Sequence, residues 1–429
     1  MKRLWLGLLV AGLLLVGALA LVGSLNVRDE VDVDATSPLA AAGPRDSLVA
    51  RGAYLARAGN CMSCHTARGG QSYAGGRAID TPFGSVFSSN LTPDEQTGLG
   101  AWSPAHFWRA MHNGRSRDGR LLSPAFPYPS YTQVTREDSD ALFAYLQSLP
   151  AVIQPNQPHT LRFPYDTQAA LAVWRALYFK PGVYEADSQR SAEWNRGAYL
   201  VRGLGHCAAC HSARNALGAS SNALDLAGGL IPMQNWYAPS LASPHEAGVG
   251  DWDRGYIVGL LKTGVSPRAS VTGPMAEVVL RSTQYLSDAD LGAMAQYLKE
   301  LAPPPAAPLP AAAPAPAATA ARGAGLYEQH CVQCHGEQGQ GVSGAYPALA
   351  GNRAVTLAST ANLVQIVLNG GYAPATDGNP RPFGMPPFML VMDDNDVAAV
   401  LTHIRQSWGN QASLVTPLEA SRVRSGNAR

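Results

Sequence analysis

The sequence predicts an all-α chain of three tandem domains behind an N-terminal membrane helix. Three observations carry that expectation. The pentapeptide Cys-x-x-Cys-His occurs three times, at residues 61–65, 207–211 and 331–335, and uses all 6 cysteines of the 429 residues. Each copy follows a similar lead-in: Arg51-Gly52-Ala53-Tyr54-Leu55, Arg196-Gly197-Ala198-Tyr199-Leu200 and Arg322-Gly323-Ala324-Gly325-Leu326. From Leu4 to Leu25 the chain carries no charge for 22 residues.

The N-terminal run is long enough to span a bilayer. Lys2 and Arg3 favour the cytoplasmic side, which puts the remainder outside. Ala18-Leu19-Ala20 resembles a signal-peptidase site, so a cleaved signal is the alternative. The apolar run continues through Leu21, Val22 and Leu25, which favours an uncleaved anchor over residues 1–27. Residues 28–45, acidic and then Ala/Pro-containing, read as a tether.

The three motifs lie 146 and 124 residues apart, first cysteine to first cysteine. That spacing leaves room for one small domain each. The expected domains cover residues 46–155, 191–302 and 320–412. Residues 156–190, with Phe163, Tyr165, Trp174, Tyr178 and Phe179, read as a packed connection. Residues 303–319 are almost pure Ala and Pro, a semi-rigid spacer that should let the third domain move as a separate body. Residues 413–429 are left as a C-terminal tail. Each domain closes with an acidic start and an apolar helix, Asp138 to Leu149, Asp290 to Leu301 and Asp396 to Trp408. The aspartates suit the helix dipole, and Leu142, Tyr145, Leu146 and Leu149 recur at helical spacing. Tyr145, Tyr297 and His403 each lie seven residues after that Asp. No strand-rich stretch is evident.

Cys-x-x-Cys-His is the spacing of covalent haem attachment, in which two thiols bond the porphyrin and the adjacent imidazole ligates iron. Zinc or redox Cys-x-x-Cys sites do not explain why His follows the second Cys each time. The chain therefore calls for three covalent haem c groups, on Cys61 and Cys64, Cys207 and Cys210, and Cys331 and Cys334, with His65, His211 and His335 as axial ligands. No thiol remains for a disulfide. A balance of 32 Lys+Arg against 31 Asp+Glu does not suggest nucleic acid as a partner.

A sixth iron ligand is expected for fast electron transfer, and methionine raises the potential relative to histidine. Met275, in Gly273-Pro274-Met275, and Met385, in Gly384-Met385-Pro386-Pro387, sit in Pro-containing loops before the closing helices. Met294, Met389 and Met392 read as core or loop fillers. The first domain has Phe126 in the matching slot, and phenylalanine cannot ligate iron. Met111 is the first candidate there, on a helix ending at Gly114 where the other repeats show Leu261 and Val367. His112 is the runner-up, and no protein ligand is the third possibility. The first two domains also share Asn90-Leu91-Thr92-Pro93 and Pro239-Ser240-Leu241-Ala242, read as a loop wrapping the haem edge.

Two terminal helices crossing over a haem make the all-helical cytochrome c arrangement. The repeats, the lead-ins and residues 121–131 (Leu-Leu-Ser-Pro-Ala-Phe-Pro-Tyr-Pro-Ser-Tyr) resemble the tri-haem cytochrome c subunit of bacterial membrane-bound alcohol, aldehyde and gluconate dehydrogenases, over residues 50–410. The resemblance matches haem positions to Cys61, Cys64, His65, Cys207, Cys210, His211, Met275, Cys331, Cys334, His335 and Met385. In that family a Pro-Ala-Met-Pro-Tyr methionine is the ligand, so Phe126 departs from the pattern. The resemblance implies an electron-transfer subunit that works with a separate large dehydrogenase subunit carrying pyrroloquinoline quinone, flavin, or molybdopterin with iron–sulfur clusters. The Phe126 variant is more similar to chains that accompany molybdenum enzymes. It also implies ubiquinone or a terminal oxidase as acceptor, at a bacterial inner membrane with the haem domains periplasmic. The chain has no dinucleotide fingerprint or candidate triad, so no catalytic residue is assigned. Two other readings stand beside this one: a catalytic haem protein with an open first iron (peroxidase or thiosulfate oxidation), and a cytochrome subunit of a respiratory oxidase.

Overall fold

The structure is a computed structural model that describes residues 2–30, 33, 44–220, 225–303 and 312–426. It divides into two compact units. One holds Met1–Ala186, Arg202–His206 and Ala216–Ala219; the other holds Asp187–Val201, Cys207–Asn215 and Ser220–Arg429. The first unit contains α1 (Lys2–Asn26), α2 (Arg45–Ala58), α3 (Pro104–Asn113), α4 (Arg136–Leu146) and α5 (Gln168–Tyr178). The second contains α6 (Ala192–Tyr199), α7 (Arg254–Thr263), α8 (Gly273–Arg281), α9 (Asp288–Lys299), α10 (Ala317–His330), α11 (Ala361–Asn369), α12 (Asp394–Gln406) and α13 (Pro417–Gly426).

One helix crossing is built three times, and the lead-in sequence explains it. α2 crosses α4, α6 crosses α9 and α10 crosses α12. At each crossing a glycine lets two backbones touch. A Cβ on Gly52 would collide with the Ala141 carbonyl, one on Gly197 with that of Ala293, and one on Gly323 with that of Ala399. The next atoms met are the Cβ of Tyr145, Tyr297 and His403, the three residues seven after each aspartate. The preceding arginine fastens the same crossing. Arg51 reaches Asp138 at 2.5 Å, Arg196 reaches Asp290 at 2.8 Å and Arg322 reaches Asp396 at 2.8 Å. Each aspartate is the third residue of its helix, and its own N–H donates to the N-cap side chain of Thr135, Ser287 or Asp393. An N-cap of this kind contributes about 1 kcal/mol. Leu142, Leu291 and Leu401, on the closing helices, are buried.

The chain is predominantly helical, but short strands interrupt it, contrary to the all-α expectation. Ala78–Thr81, Gly84–Phe87 and Thr160–Leu161 form a three-stranded antiparallel sheet, and Gly229–Ile231 pairs with Trp236–Ala238. These pieces are two to four residues long, too short for period-two alternation to mark them in sequence.

Two further expectations need correction. The third repeat is not a separate body: it shares a unit with the second. Arg353 pairs with Asp251 at 2.8 Å. The Asn362 side chain accepts from the Tyr237 N–H (2.8 Å) and donates to the Tyr237 carbonyl (2.7 Å). Residues 304–311 of the Ala/Pro spacer lie outside the described residues. The C-terminal tail is largely a helix, α13, packed on α11 and α12. It buries Ala420 and Val423, and Arg424 pairs with Asp394 at 2.7 Å. Most of the tether, residues 31–32 and 34–43, also lies outside the described residues.

Candidate haem attachment sites

Each Cys-x-x-Cys-His copy includes a single helical turn, assigned to Cys61–Cys64, Ala208–His211 and Val332–His335. All six thiols are free of disulfides. Burial pushes the Cys61 and Cys207 thiols up to about 12 and Cys331 up to about 11, and the neighbouring cysteine of each motif adds to the shift.

The histidines are oriented alike. His65 Nδ1 lies 2.7 Å from the Ser89 carbonyl, His211 Nδ1 2.7 Å from that of Pro239, and His335 Nδ1 3.0 Å from that of Pro347. A carbonyl oxygen only accepts, so Nδ1 carries the proton and Nε2 keeps its lone pair for a metal. Burial lowers all three imidazole pKa values, which favours the neutral, ligating form. Two thiols outside any disulfide, beside an imidazole with an available Nε2, fit a covalent haem. A zinc cage does not fit, because among the described residues no three His, Cys, Asp or Glu side chains converge to hold a metal.

A second clamp holds each histidine from its backbone. The carbonyls of His65, His211 and His335 accept from the N–H of Gly75 (2.8 Å), Gly228 (2.7 Å) and Gly341 (2.8 Å). All three glycines have φ between 65° and 85°. A Cβ there would press on backbone at Ser89, Ser240 and Tyr346 respectively, at 2.5 to 2.7 Å. The glycine loop and the acceptor segment are therefore in contact in every repeat. These glycines stand ten, seventeen and six residues after their histidines, so no fixed spacing exposes them to a sequence reading. The Asn90 and Ser240 loops acquire a definite task, because each follows the acceptor carbonyl. Asn90 Oδ1 accepts from Thr92 N–H (2.9 Å) and Ser240 Oγ from Ser243 N–H (3.0 Å), which rigidifies both turns.

The distal candidates differ among repeats. Met385 is partly buried and packs on the same apolar cluster as Cys331. Its loop binds back to α11, where Phe388 N–H donates to the Val367 carbonyl at 2.9 Å. Phe383 of that loop lies 5.2 Å from the Tyr346 ring, next to the acceptor Pro347. Met275, expected in a loop, lies instead in the first turn of α8, where Pro274 is tolerated, after Gly273, which packs on the Trp236 ring. In the first repeat Met111 and His112 are both buried near the end of α3. The Phe126 loop starts at that helix end, with Leu122 N–H on the Gly114 carbonyl at 2.9 Å. Phe126 lies 5.3 Å from the Tyr131 ring, and Tyr131 is buried beside Cys61 and Cys64. His112 has other partners. Its Nδ1 is 2.9 Å from the Thr132 carbonyl and its ring stacks on Trp108 at 4.7 Å.

The sequence reading missed Tyr131 and His206. The Tyr131 hydroxyl donates to the Gly59 carbonyl (3.3 Å), two residues before Cys61. The ring of His206, the residue preceding Cys207, packs on Tyr131 at 5.5 Å. His206 and Asn60 precede their attachment cysteines with positive φ, 38° and 50°. That shared backbone feature is not encoded by a shared residue type.

The family model for cytochrome c matches residues 49–150, 195–302 and 320–408. The cytochrome c subunit of alcohol dehydrogenase (quinone) from Komagataeibacter europaeus is 38% identical over 399 residues, covering 89% of this chain and 85% of that one. The gluconate 2-dehydrogenase cytochrome c subunit of Pantoea cypripedii is 36% identical over 398 residues, covering 88% and 90%. A nicotinate dehydrogenase polypeptide of Pseudomonas putida is 39% identical over 388 residues, covering 87% of this chain and 32% of that longer protein. Three matched domains imply three covalently bound haems c, and the chain belongs to the cytochrome c family.

Proposed function

We propose that this chain is the electron-transfer subunit of a membrane-bound dehydrogenase, accepting electrons from a large partner subunit and delivering them to ubiquinone or a terminal oxidase. The observation that carries this reading is the threefold histidine clamp, spread over a chain that matches the cytochrome subunits named above along nearly its whole length. The haem supplies reversible one-electron iron chemistry. Cys61 and Cys64, Cys207 and Cys210, and Cys331 and Cys334 hold it by thioethers. His65, His211 and His335 present Nε2, fixed by the carbonyls and glycines described. Met275 and Met385 would hold the iron from the opposite side.

In the first repeat Met111 takes the distal place, with His112 as the runner-up. Two observations favour Met111. It matches Leu261 and Val367 of α7 and α11, both buried, and the Phe126 loop starts at its helix end. His112 stays the runner-up because its Nδ1 on the Thr132 carbonyl leaves Nε2 free, while its ring is held stacked on Trp108.

The similarity to the nicotinate dehydrogenase polypeptide, alongside Phe126, favours a molybdopterin and iron–sulfur partner over one with pyrroloquinoline quinone or flavin. The apolar helix α1, long enough to cross a membrane, and Lys2 and Arg3 before it support an inner-membrane anchor with the haem domains periplasmic. The test is purification of the native chain under mild detergent. A large dehydrogenase subunit should co-purify, and its substrate should reduce the haems of the complex. Isolation of a chain that no co-purifying dehydrogenase reduces, with peroxide or thiosulfate turnover of its own, overturns the reading.

A further inference from the structure

The described end of the anchor is bonded to the first unit. Asn26, the last residue of α1, donates from Nδ2 to the Ala172 carbonyl of α5 at 2.9 Å and accepts at Oδ1 from Arg175 Nε at 2.9 Å. Arg115 donates to the Asn26 carbonyl at 3.0 Å and pairs with Glu30 at 3.2 Å. Asn113 donates to the Asp29 carbonyl at 2.9 Å. A 25-residue helix is about 37 Å long, against about 30 Å of hydrocarbon. When α1 spans a bilayer, its last turns therefore emerge at the lipid–water boundary, and α5 is held at that depth.

α5 is built for that place. Ala169, Val173 and Leu177 recur every four residues and so share one face. All three are exposed, and Leu177 is 63% accessible. Tyr178 beside them is also exposed, with the Trp174 ring 5.6 Å away. The one charged residue of the helix, Arg175, is 4% accessible and turned inward over the Tyr128 and Phe179 rings. A helix facing water shows the reverse arrangement, with charges outward and apolar residues inward. Tyr and Trp are the residues that favour the headgroup level.

We propose that α5 is an interfacial membrane helix whose Ala169–Val173–Leu177 face lies in the headgroup–acyl boundary and seats the first haem repeat on the bilayer. This rests on α1 being an uncleaved anchor. Two attachments of this kind fix depth and orientation, where a single spanning helix fixes depth alone.

The test places the full-length holoprotein in nanodiscs of phosphatidylethanolamine and phosphatidylglycerol doped with a phospholipid bearing a diazirine at a shallow acyl position. After illumination, lipid adducts are mapped by peptide mass spectrometry. Adducts are expected on α1 and on residues 169–178. In a Val173→Glu/Leu177→Glu variant those on α5 should fall several-fold, while α1 adducts and the three-haem mass stay unchanged. Adducts on α1 with none on residues 169–178 overturn the proposal and leave the anchor standing, because α5 then faces water or another protein. An absence of adducts on both removes the anchor reading and this proposal with it.

Discussion

The first and third repeats share a frame and differ on one side of it. In both, an arginine and a glycine of the lead-in helix lock onto an aspartate and a carbonyl of the closing helix. In both, the motif histidine is clamped at Nδ1 and at its own carbonyl. On the other side, the third repeat offers Met385 from a two-residue strand, Gly384–Met385, paired with Gly371–Tyr372, where the expectation was a loop, and has Val367 on the preceding helix. The first repeat offers Phe126 from the loop and Met111 on the helix. The attachment side is woven into the helix crossing and leaves little freedom. The distal segments bond back to the helix that precedes them, Leu122 N–H to the Gly114 carbonyl and Phe388 N–H to the Val367 carbonyl, through backbone groups that do not depend on the residue in the distal slot. A chain of this design can give similar domains different iron chemistry.

The comparison breaks most severely at the crossing glycines. Gly52→Val or Gly323→Val forces a side chain into a backbone carbonyl, costing roughly 3 kcal/mol or more of that repeat's stability. The intact mass should show two haems in place of three. A variant that keeps three haems and melts at the wild-type temperature would mean the close crossing is unimportant. Next in size are the proposed distal ligands of the second and third repeats. Met275→Ala and Met385→Ala should each remove one methionine–iron charge-transfer band and lower one midpoint potential; unchanged spectra from either identify a wrong ligand. Arg51→Ala leaves the buried Asp138 carboxylate without its arginine. Because Arg51 is half-exposed, the loss should be about 1–3 kcal/mol, read as a lower midpoint in denaturant, and Arg51→Lys should restore part of it. The smallest effect is expected from Thr135→Ala and Ser287→Ala, about 1 kcal/mol each from the lost N-cap, seen in thermal melts and without any change in haem spectra.

Much of this frame was legible in sequence because it recurs. Arg-Gly-Ala before each motif and an aspartate opening each closing helix mark both partners of the crossing, and the apolar N-terminal helix shows in 22 uncharged residues. The ion pair between the repeated Arg and Asp was not apparent, since the two are about 75–95 residues apart in sequence and only the crossing brings them together. The clamp glycines were hidden by irregular spacing. Tyr131 and His206 gain meaning only from their neighbours in space. The helix α13 escaped because its polar sequence shows little periodicity, and its stability comes from Ala420, Val423 and the Arg424–Asp394 pair. Composition suggested a mobile third repeat, but the Arg353–Asp251 and Asn362–Tyr237 contacts join it to the second.

The distal side of the first iron is where the repeats part company, and one measurement reaches it most directly. Electron paramagnetic resonance and carbon monoxide titration are compared for full-length wild type and Met111→Ala, with His112→Ala and Phe126→Met as companions. With Met111 as ligand, wild type takes up no carbon monoxide at the first haem. Met111→Ala should gain one high-spin iron that binds one carbon monoxide per chain, with the other two low-spin signals unmoved, while His112→Ala stays as wild type. A Met111→Ala protein indistinguishable from wild type contradicts this. A bis-histidine signal lost in His112→Ala would then move the ligand to His112. Carbon monoxide uptake already present in wild type, and abolished by Phe126→Met, would leave the first iron without a protein ligand.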